Sequence, residues 1–216
     1  MTLRLHDALK NKNRFDAGLI ENIQQEFNRL PEKRRRFKLV ANLPYNVATP
    51  IISNLLRYEP IPDLMCVTIQ KELADRIVSP PGTKDYSALS IWVQSVAHAS
   101  IVRVLPPGVF WPPPKVHSAI LRIDTDSRLR SRIDDIEFFH EKLRALYFHR
   151  RKFLRSVVLS AMKDQLDKAQ VDTVLSDLGY DGESRAEQLS VEATIRLINA
   201  LRTASSSASY TVRGPK

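Results

Sequence analysis

Four consecutive residues, Asn42-Leu43-Pro44-Tyr45, combine groups that could bind and orient a planar substrate. They follow the apolar run 37–41 (FKLVA), which is typical of a buried strand. The motif is therefore predicted at the carboxyl end of a parallel sheet, where α/β folds bind ligands. A side-chain amide, a proline-fixed turn and an aromatic ring suit that use. The four residues also fit a tight turn in which Asn42 is only a local cap.

A run of basic residues is the second candidate for chemistry, because it could bind phosphates. The stretch 142–155 contains six basic residues and no acidic one. The six are Lys142, Arg144, Arg150, Arg151, Lys152 and Arg155. Tyr147, Phe148 and Phe153 are interleaved with them. On adjoining helices the run would form a cationic face for RNA phosphates, and the alternative is an ordinary solvated helix surface.

The overall charge agrees with a polyanionic partner, nucleic acid before membrane. The 216 residues include 33 Lys and Arg against 24 Asp and Glu, a net charge of +9. A second basic cluster lies at residues 33–38. No apolar run approaches the ~18 residues of a membrane span, and no apolar signal segment is present. With Cys66 as the single cysteine, we expect a reducing, cytoplasmic setting and no membrane partner.

Metal and nucleophile chemistry have little support in the sequence. None of the five histidines has a His or Cys at ligand spacing, so no metal site is expected. Cys66 lies in an apolar run and is predicted to be an inert core thiol. The chain contains no G-x-S-x-G nucleophile motif.

The elements that must position the Asn42 motif alternate between strand and helix. Strands are predicted at 3–6, 37–41, 64–69, 100–105 and 117–123, and helices at 16–29, 49–57, 71–78 and 87–97. The first strand ends at Asp7, and Thr49 with Pro50 resembles a helix N-cap. This rhythm predicts an α/β fold with a parallel sheet that closes in an antiparallel hairpin.

The composition changes after Asp126, where strand signals stop. Helices are predicted at 134–148, 151–162, 168–178 and 190–202, and Gly179 ends the third of them. Residues 203–216 resemble a disordered tail. We therefore expect a sheet domain over 1–126, a small all-α domain over 127–202 and a tail over 203–216.

Taken together, the motifs resemble a known family. The segment NLPYNVATPIISNLL resembles the catalytic motif of the KsgA-type rRNA adenine N6-dimethyltransferases. The macrolide-resistance methyltransferases share part of this pattern, but Leu43 and the Arg185-Ala186-Glu187 element favour the KsgA side. Further elements follow in the family's order over roughly residues 3–200: Gln70-Lys71-Glu72, Lys84-x-Tyr86-Ser87, Phe110-Trp111-Pro112-Pro113-Pro114-Lys115-Val116-x-Ser118 and Arg150-Arg151-Lys152.

The resemblance implies a partial Rossmann-like sheet that uses S-adenosylmethionine. In such a site, Asn42 and the carbonyl of Leu43 would accept hydrogen bonds from the target adenine amine, within a turn formed by Pro44. The rings of Tyr45 and Phe110 would stack on the base after it leaves the RNA helix. These implied site residues are joined by Asp7 and Asn42 for the cofactor, and by Arg150, Arg151, Lys152 and Arg155 for rRNA. The implied partner is small-subunit rRNA in a pre-30S particle, bound by a monomer.

The sequence departs from the family pattern in its cofactor elements. The family carries a glycine-rich loop and a ribose-binding acidic residue before its Asp motif, yet only six residues precede Asp7. None of the six glycines has G-x-G spacing. We therefore expect a fragment of a full enzyme that is inactive alone and binds S-adenosylmethionine poorly. The alternative is a non-catalytic RNA-binding or ribosome-assembly module derived from the same family.

Overall fold

A computed structural model describes residues 5, 7–11, 14–149 and 151–211. The chain divides into two compact units, one of Met1–Val78 and Val96–Asp126, the other of Ser79–Ser95 and Ser127–Lys216. The elements of the first unit are β1 (Leu9–Asn11), β2 (Arg14–Phe15), α1 (Ala17–Arg29), β3 (Lys38–Asn42), α2 (Ala48–Leu55), β4 (Leu64–Gln70), α3 (Lys71–Val78), β5 (Ala97–Leu105) and β6 (Ser118–Thr125).

A four-stranded sheet in the order β3-β4-β6-β5 organises the first unit. β3 and β4 are parallel, and β6 runs antiparallel to both β4 and β5. The predicted α/β class and the antiparallel closing hairpin are confirmed. β1 and β2 form a separate two-stranded sheet.

The side chains of β4 pack one face of this sheet into the core. Its side chains alternate, and Met65, Val67 and Ile69 are completely buried on one face. Cys66 lies on the other, half-buried face, so the prediction that it is a core thiol is wrong. The reason is the period of two along a strand, which sends neighbouring side chains to opposite faces.

β3 is an edge strand, and none of its five residues is fully buried. Val40 is 75% exposed, because no described element covers its face of the sheet. An apolar run such as 37–41 therefore does not guarantee a buried strand, contrary to the prediction. Its last residue is Asn42, so the motif does follow the strand directly.

The second unit consists of helices, as the sequence predicts for the region after Asp126. They are α4 (Ala88–Val96), α5 (Ser127–Arg130), α6 (Ile136–Phe148), α7 (Leu154–Ala161), α8 (Lys168–Asp177) and α9 (Val191–Thr211). The segment 79–95, predicted as part of the sheet domain, groups with this unit. Trp92 packs against Phe139 and His140, with ring centroids 6.2 and 5.0 Å apart. Tyr86 donates a hydrogen bond to the carbonyl of Leu189 at 3.0 Å.

Local capping accounts for the ends of these helices. The Asp135 carboxylate accepts from Phe138 N at 3.0 Å at the start of α6. Gly179 has φ +76°, and the next residue, Tyr180, donates its N–H to Leu175 O at 2.9 Å. This closing turn confirms Gly179 as the stop of the third predicted helix.

The last helix differs from its prediction. α9 continues to Thr211, beyond the predicted tail start at residue 203, and residues 212–216 lie outside the described residues. Within the part of the chain that the structure describes, no helix is long and apolar enough to cross a membrane.

Candidate active site

The residues predicted to act on a substrate meet at one edge of the four-stranded sheet. Asn42 pairs with Thr68 near the carboxyl end of β4. Ser118, the first residue of β6, pairs with both Gln70 and Leu105. The Asn42 motif, the end of β4 and the loop 106–117 therefore emerge at the same edge, which is the ligand-binding edge of α/β sheets.

The turn after β3 is held by its main chain. Leu43 is buried and donates its N–H to Thr68 O at 3.1 Å. The carbonyl of Pro44 accepts from the N–H groups of Val47 and Ala48, each at 3.1 Å. Asn42 is exposed, and within the described residues no hydrogen bond is made to its side chain or to the carbonyl of Leu43. Two hydrogen-bond acceptors are thus available at the edge.

The start of α2, which follows the same turn, differs from its prediction. The N-cap position is Val47, without a side-chain cap, and Thr49 and Pro50 lie inside the first turn. Pro50 still fits, because the first-turn N–H groups of a helix have no partner within the helix. The carbonyl of Pro44 does the capping that the sequence pattern predicts for Thr49.

The side chain of Tyr45 contacts Ser118, the last residue of the sequence motif that begins at Phe110. Its hydroxyl lies 2.7 Å from the hydroxyl of Ser118, which is completely buried. The Tyr45 ring is half-buried. The sequence places Ser118 in a motif but predicts no role for it. The signal that could have found it is its place at the start of a strand at the same sheet edge.

The loop 106–117 presents two aromatic rings of different exposure. Phe110 is half-buried, whereas Trp111 is 95% exposed. The loop returns to the sheet where Lys71 N donates to His117 O at 2.9 Å. Tyr45 and Phe110 share the sheet edge, but among the described aromatic contacts none joins their rings. Stacking of a base by both rings therefore stays a prediction.

Asp7 lies close to β1, and the strand predicted before it falls mainly outside the described residues. Its carboxylate accepts a hydrogen bond from Leu9 N at 2.9 Å, just before β1. β1 pairs only with β2 and not with the four-stranded sheet. The other residues of the predicted strand 3–6, apart from Leu5, lie outside the described residues, and Leu5 has no regular structure. A carboxylate that caps its own turn is the common use of Asp at such a position.

The basic run 142–155 is less uniform than its sequence. Lys142 is 3% exposed and donates to Glu141 Oε1 and Ala161 O, at 3.0 and 3.1 Å. Arg155 makes two hydrogen bonds to Asp172, at 2.6 and 2.9 Å. These two residues therefore have acidic partners in the fold, although the run itself contains no acidic residue. Arg144, Arg151 and Lys152 are exposed, and Arg150 lies outside the described residues.

The second basic cluster also contains a structural residue. The Arg35 guanidinium donates to the carbonyls of Leu30 and Asn28, at 3.1 and 3.3 Å, and lies 5.8 Å from the centroid of the Phe27 ring. It satisfies main-chain carbonyls at the end of α1, as cations at helix C-termini do.

Ionisable groups with displaced pKa values include Asp172 and Tyr86 in the helical unit. Hydrogen bonds from the Arg155 guanidinium lower the pKa of Asp172. Burial raises the pKa of Tyr86, whose hydroxyl is used as a structural donor. In the described part of the chain, no group of three or more His, Cys, Asp and Glu side chains could hold a metal ion.

The sheet edge offers hydrogen-bond acceptors at Asn42 and Leu43 beside the aromatic ring of Tyr45, which Ser118 contacts. This arrangement suits a planar base with an exocyclic amine.

Comparison with known proteins agrees with that chemistry. Residues 8–203 match the family model described as ribosomal RNA adenine dimethylase. Over 167 residues the chain is 38% identical to ribosomal RNA small subunit methyltransferase A of Halothermothrix orenii, covering 77% of this chain and 56% of that protein. It is 37% identical over 204 residues to the protein of the same name from Geobacillus thermodenitrificans, covering 93% and 68%.

A solved structure supports the same fold. A dimethyladenosine transferase from Plasmodium falciparum superposes with a TM-score of 0.70 at 20% identity, covering 88% of this chain and 80% of that one. The chain thus spans a little over half the length of the Halothermothrix relative and about two thirds of the Geobacillus relative.

Proposed function

This chain belongs to the ribosomal RNA adenine dimethylase family, and from that premise we propose that its sheet edge forms the adenine-binding half of a methyltransferase site. The proposed reaction is methyl transfer to the N6 amine of adenosines in small-subunit rRNA. The observation that carries the proposal is the convergence of Asn42, Leu43 and the Ser118-anchored Tyr45 at that edge.

The chemistry of the target explains the need for acceptors. An exocyclic adenine amine is a weak nucleophile, because its lone pair is delocalised into the ring. Acceptors on its two N–H groups would turn the amine and localise that lone pair toward the methyl donor. The exposed Asn42 amide oxygen and the open Leu43 carbonyl are the candidates for this task. Acceptors fixed before the reaction act mainly by stabilising the developing charge.

The aromatic residues would hold the base itself. A base that leaves an RNA helix loses its stacking, and an aromatic face restores part of it. The hydroxyl contact between Tyr45 and Ser118 fixes the position of the end of the Tyr45 side chain and supports this role. Phe110, on the loop at the same edge, is the candidate for the opposite face.

The methyl donor of this proposal is S-adenosylmethionine, as in the family. Because none of the six glycines has G-x-G spacing, we infer that the chain alone binds it weakly and transfers methyl groups poorly. A glycine-rich loop lets the main chain approach a bound cofactor closely, which side-chain-bearing residues prevent. We infer that catalysis depends on a glycine-rich segment of the kind that the family carries.

The rRNA would be bound mainly by the helical unit. Arg151 and Lys152 are exposed and make no ion pair within the described residues, so their charges are available to phosphates. Arg155 contributes less in this proposal, because Asp172 already neutralises it. The chain would act as a cytoplasmic monomer on a pre-30S particle.

A non-catalytic RNA-binding or assembly module is the second candidate. The glycine inventory favours it, since no two glycines have the G-x-G spacing of a cofactor loop. It predicts rRNA binding with no methyl transfer under any conditions.

Methyl transfer by a chimera distinguishes the two candidates. The chimera joins the glycine-rich cofactor segment of the Geobacillus relative to this chain. It is incubated with S-adenosylmethionine and undermethylated small-subunit particles, and modified adenosines are located by mass spectrometry. We expect N6-methylated adenosine with the chimera and little with the chain alone. A chimera that binds both the cofactor and rRNA yet leaves adenosine unmodified would refute the catalytic proposal.

A further inference from the structure

The junction between α6 and α7 contains a cleft that combines aromatic and cationic side chains. Its volume is about 350 Å³, and its lining residues are Tyr147, Phe148, His149, Arg151 and Lys152. Ligand pockets in proteins begin at about 300 Å³, so this cleft has room for one nucleotide-sized group.

The three aromatic side chains interleaved in the basic run differ in exposure. Tyr147 is 7% exposed and donates its hydroxyl to Ala186 O at 2.6 Å. Phe153 is 47% exposed, and the Arg185 guanidinium lies over one face of its ring, 5.1 Å from the centroid. Phe148 is 81% exposed, and its described ring contact is an edge contact with the exposed His149, at 4.7 Å. The sequence alone does not distinguish the three.

The cations of the basic run also differ from one another, in their exposure and in their ion-pair partners. Arg151 and Lys152 are exposed and have no ion-pair partner among the described residues, unlike Lys142 and Arg155. Both unpaired charges therefore line the same cleft as the exposed Phe148 ring.

Two hydrogen bonds hold the main chain at Arg151 and Lys152. Lys152 N donates to His149 O at 2.9 Å, and the Arg185 side chain donates to the carbonyl of Arg151. The Arg185 guanidinium also lies over one face of the Phe153 ring. The main chain of the two cationic residues therefore has less freedom to lose when a ligand binds.

We propose that this cleft binds one unpaired nucleotide of RNA, with the base stacked on Phe148 and its phosphate held by Arg151 and Lys152. The inference rests on the RNA-binding part of the proposed function and adds to it a preference for single-stranded over paired RNA. Base stacking on aromatic side chains is the usual way in which proteins bind unpaired nucleotides. A single exposed Phe is common on protein surfaces, but an exposed ring and two unpaired cations that line the same cleft match this chemistry.

The test compares a short single-stranded RNA that carries 2-aminopurine with a duplex of the same sequence, using the full chain. Stacking on Phe148 predicts quenched 2-aminopurine fluorescence with the single strand. Phe148→Ala and Phe148→Leu should each weaken single-strand binding about five- to 100-fold. Phe148→Trp keeps an aromatic ring at this position and should bind the single strand as the wild type does. Val102→Ala, which shortens an exposed apolar side chain on β5, is the matched control and should change nothing.

The salt dependence separates this inference from the proposal on which it rests. The Phe148 variants should keep the wild-type salt slope, because they remove no charge. If the wild type binds RNA with a steep salt slope but Phe148→Ala and Phe148→Leu bind single strands equally well, the nucleotide cleft is refuted and RNA binding stands. Equal losses for single strand and duplex would also refute stacking. If the wild type binds neither RNA, both proposals fail.

Discussion

The hydroxyl of Tyr45 lies 2.7 Å from that of Ser118, 73 residues further along the chain. The contact joins the turn after β3 to the first residue of β6, and so connects the two sequence motifs proposed to hold the target base. Ser118 is completely buried, so the contact holds the Tyr45 ring from the protein side and leaves its exposed part at the sheet edge.

Loss of this contact should lower the stability of the chain by a measurable amount. A hydrogen bond contributes about 0.5–1.5 kcal/mol net, so Tyr45→Phe and Ser118→Ala should each lower the free energy of unfolding by about that much. The double variant should cost clearly less than the sum, because both single changes remove the same bond. Urea titration of the four proteins measures this coupling, and strictly additive losses would mean that the two hydroxyls do not interact.

The exposed cations of the α6–α7 turn should determine how RNA binding responds to salt. Each phosphate contact contributes a slope of about −0.7 to −0.9 to the log–log plot of affinity against salt. Arg151→Ala with Lys152→Ala should therefore flatten the slope by about 1.4–1.8. Arg155→Ala removes the same charge type from a residue paired with Asp172 and should leave the slope nearly unchanged. If all three substitutions change the salt slope equally, the basic run 142–155 acts only as a general solvated cationic surface.

The ion pair between Arg155 and Asp172 should instead affect how the stability of the folded state depends on pH. Arg155 lowers the pKa of Asp172, so the ionised carboxylate favours the folded state. That contribution is present above the ordinary Asp pKa and is lost as the pH falls through the lowered value. Both side chains are roughly half exposed, so the effect is small.

We expect Asp172→Asn to be less stable than the wild type at neutral pH, with the difference disappearing in acid. Urea midpoints from neutral pH to about pH 2 measure it, since that span covers the ordinary Asp pKa of about 3.9. Asp164→Asn, at an exposed carboxylate, serves as the control. A stability difference that persists unchanged at the lowest pH would mean that the Asp172 charge does not favour the folded state.

Cofactor affinity should depend on a glycine-rich segment. Isothermal titration of the chain with S-adenosylmethionine should give no saturable heat, and the chimera with the Geobacillus cofactor segment should bind it. Tight binding by the chain alone would show that the described edge suffices, which would also weaken the case for a non-catalytic module.

Most of the elements near the site were predictable, because local sequence determines them. The prediction of α3 over 71–78 agrees with the structure at both ends, and the strands at 64–69 and 117–123 differ from it by one or two residues. Gly179 stops its helix through a positive φ that glycine adopts readily. Period, capping and glycine conformation are all local signals.

The failures share a dependence on partners outside the local pattern. Thr49 fits an N-cap by type, but the carbonyl of Pro44 already takes that task. The charge of Arg155 is paired with that of Asp172, and the contact between Tyr45 and Ser118 joins two separate motifs. Val40 fits a core residue by type, yet the edge position of β3 leaves it exposed. Pairings of this kind follow from the sheet order and the helix packing, which sequence patterns do not specify.

The most direct test of the account is the rate of methyl transfer by the chimera with Asn42→Ala, measured beside its affinity for small-subunit rRNA. If Asn42 accepts a hydrogen bond from the adenine amine in the transition state, the rate should fall by about 10²–10³. The rRNA affinity should stay within about twofold, since the phosphate contacts that we propose lie in the helical unit. A methylation rate close to that of the unsubstituted chimera, with rRNA still bound, would contradict the assignment of this sheet edge as the catalytic site.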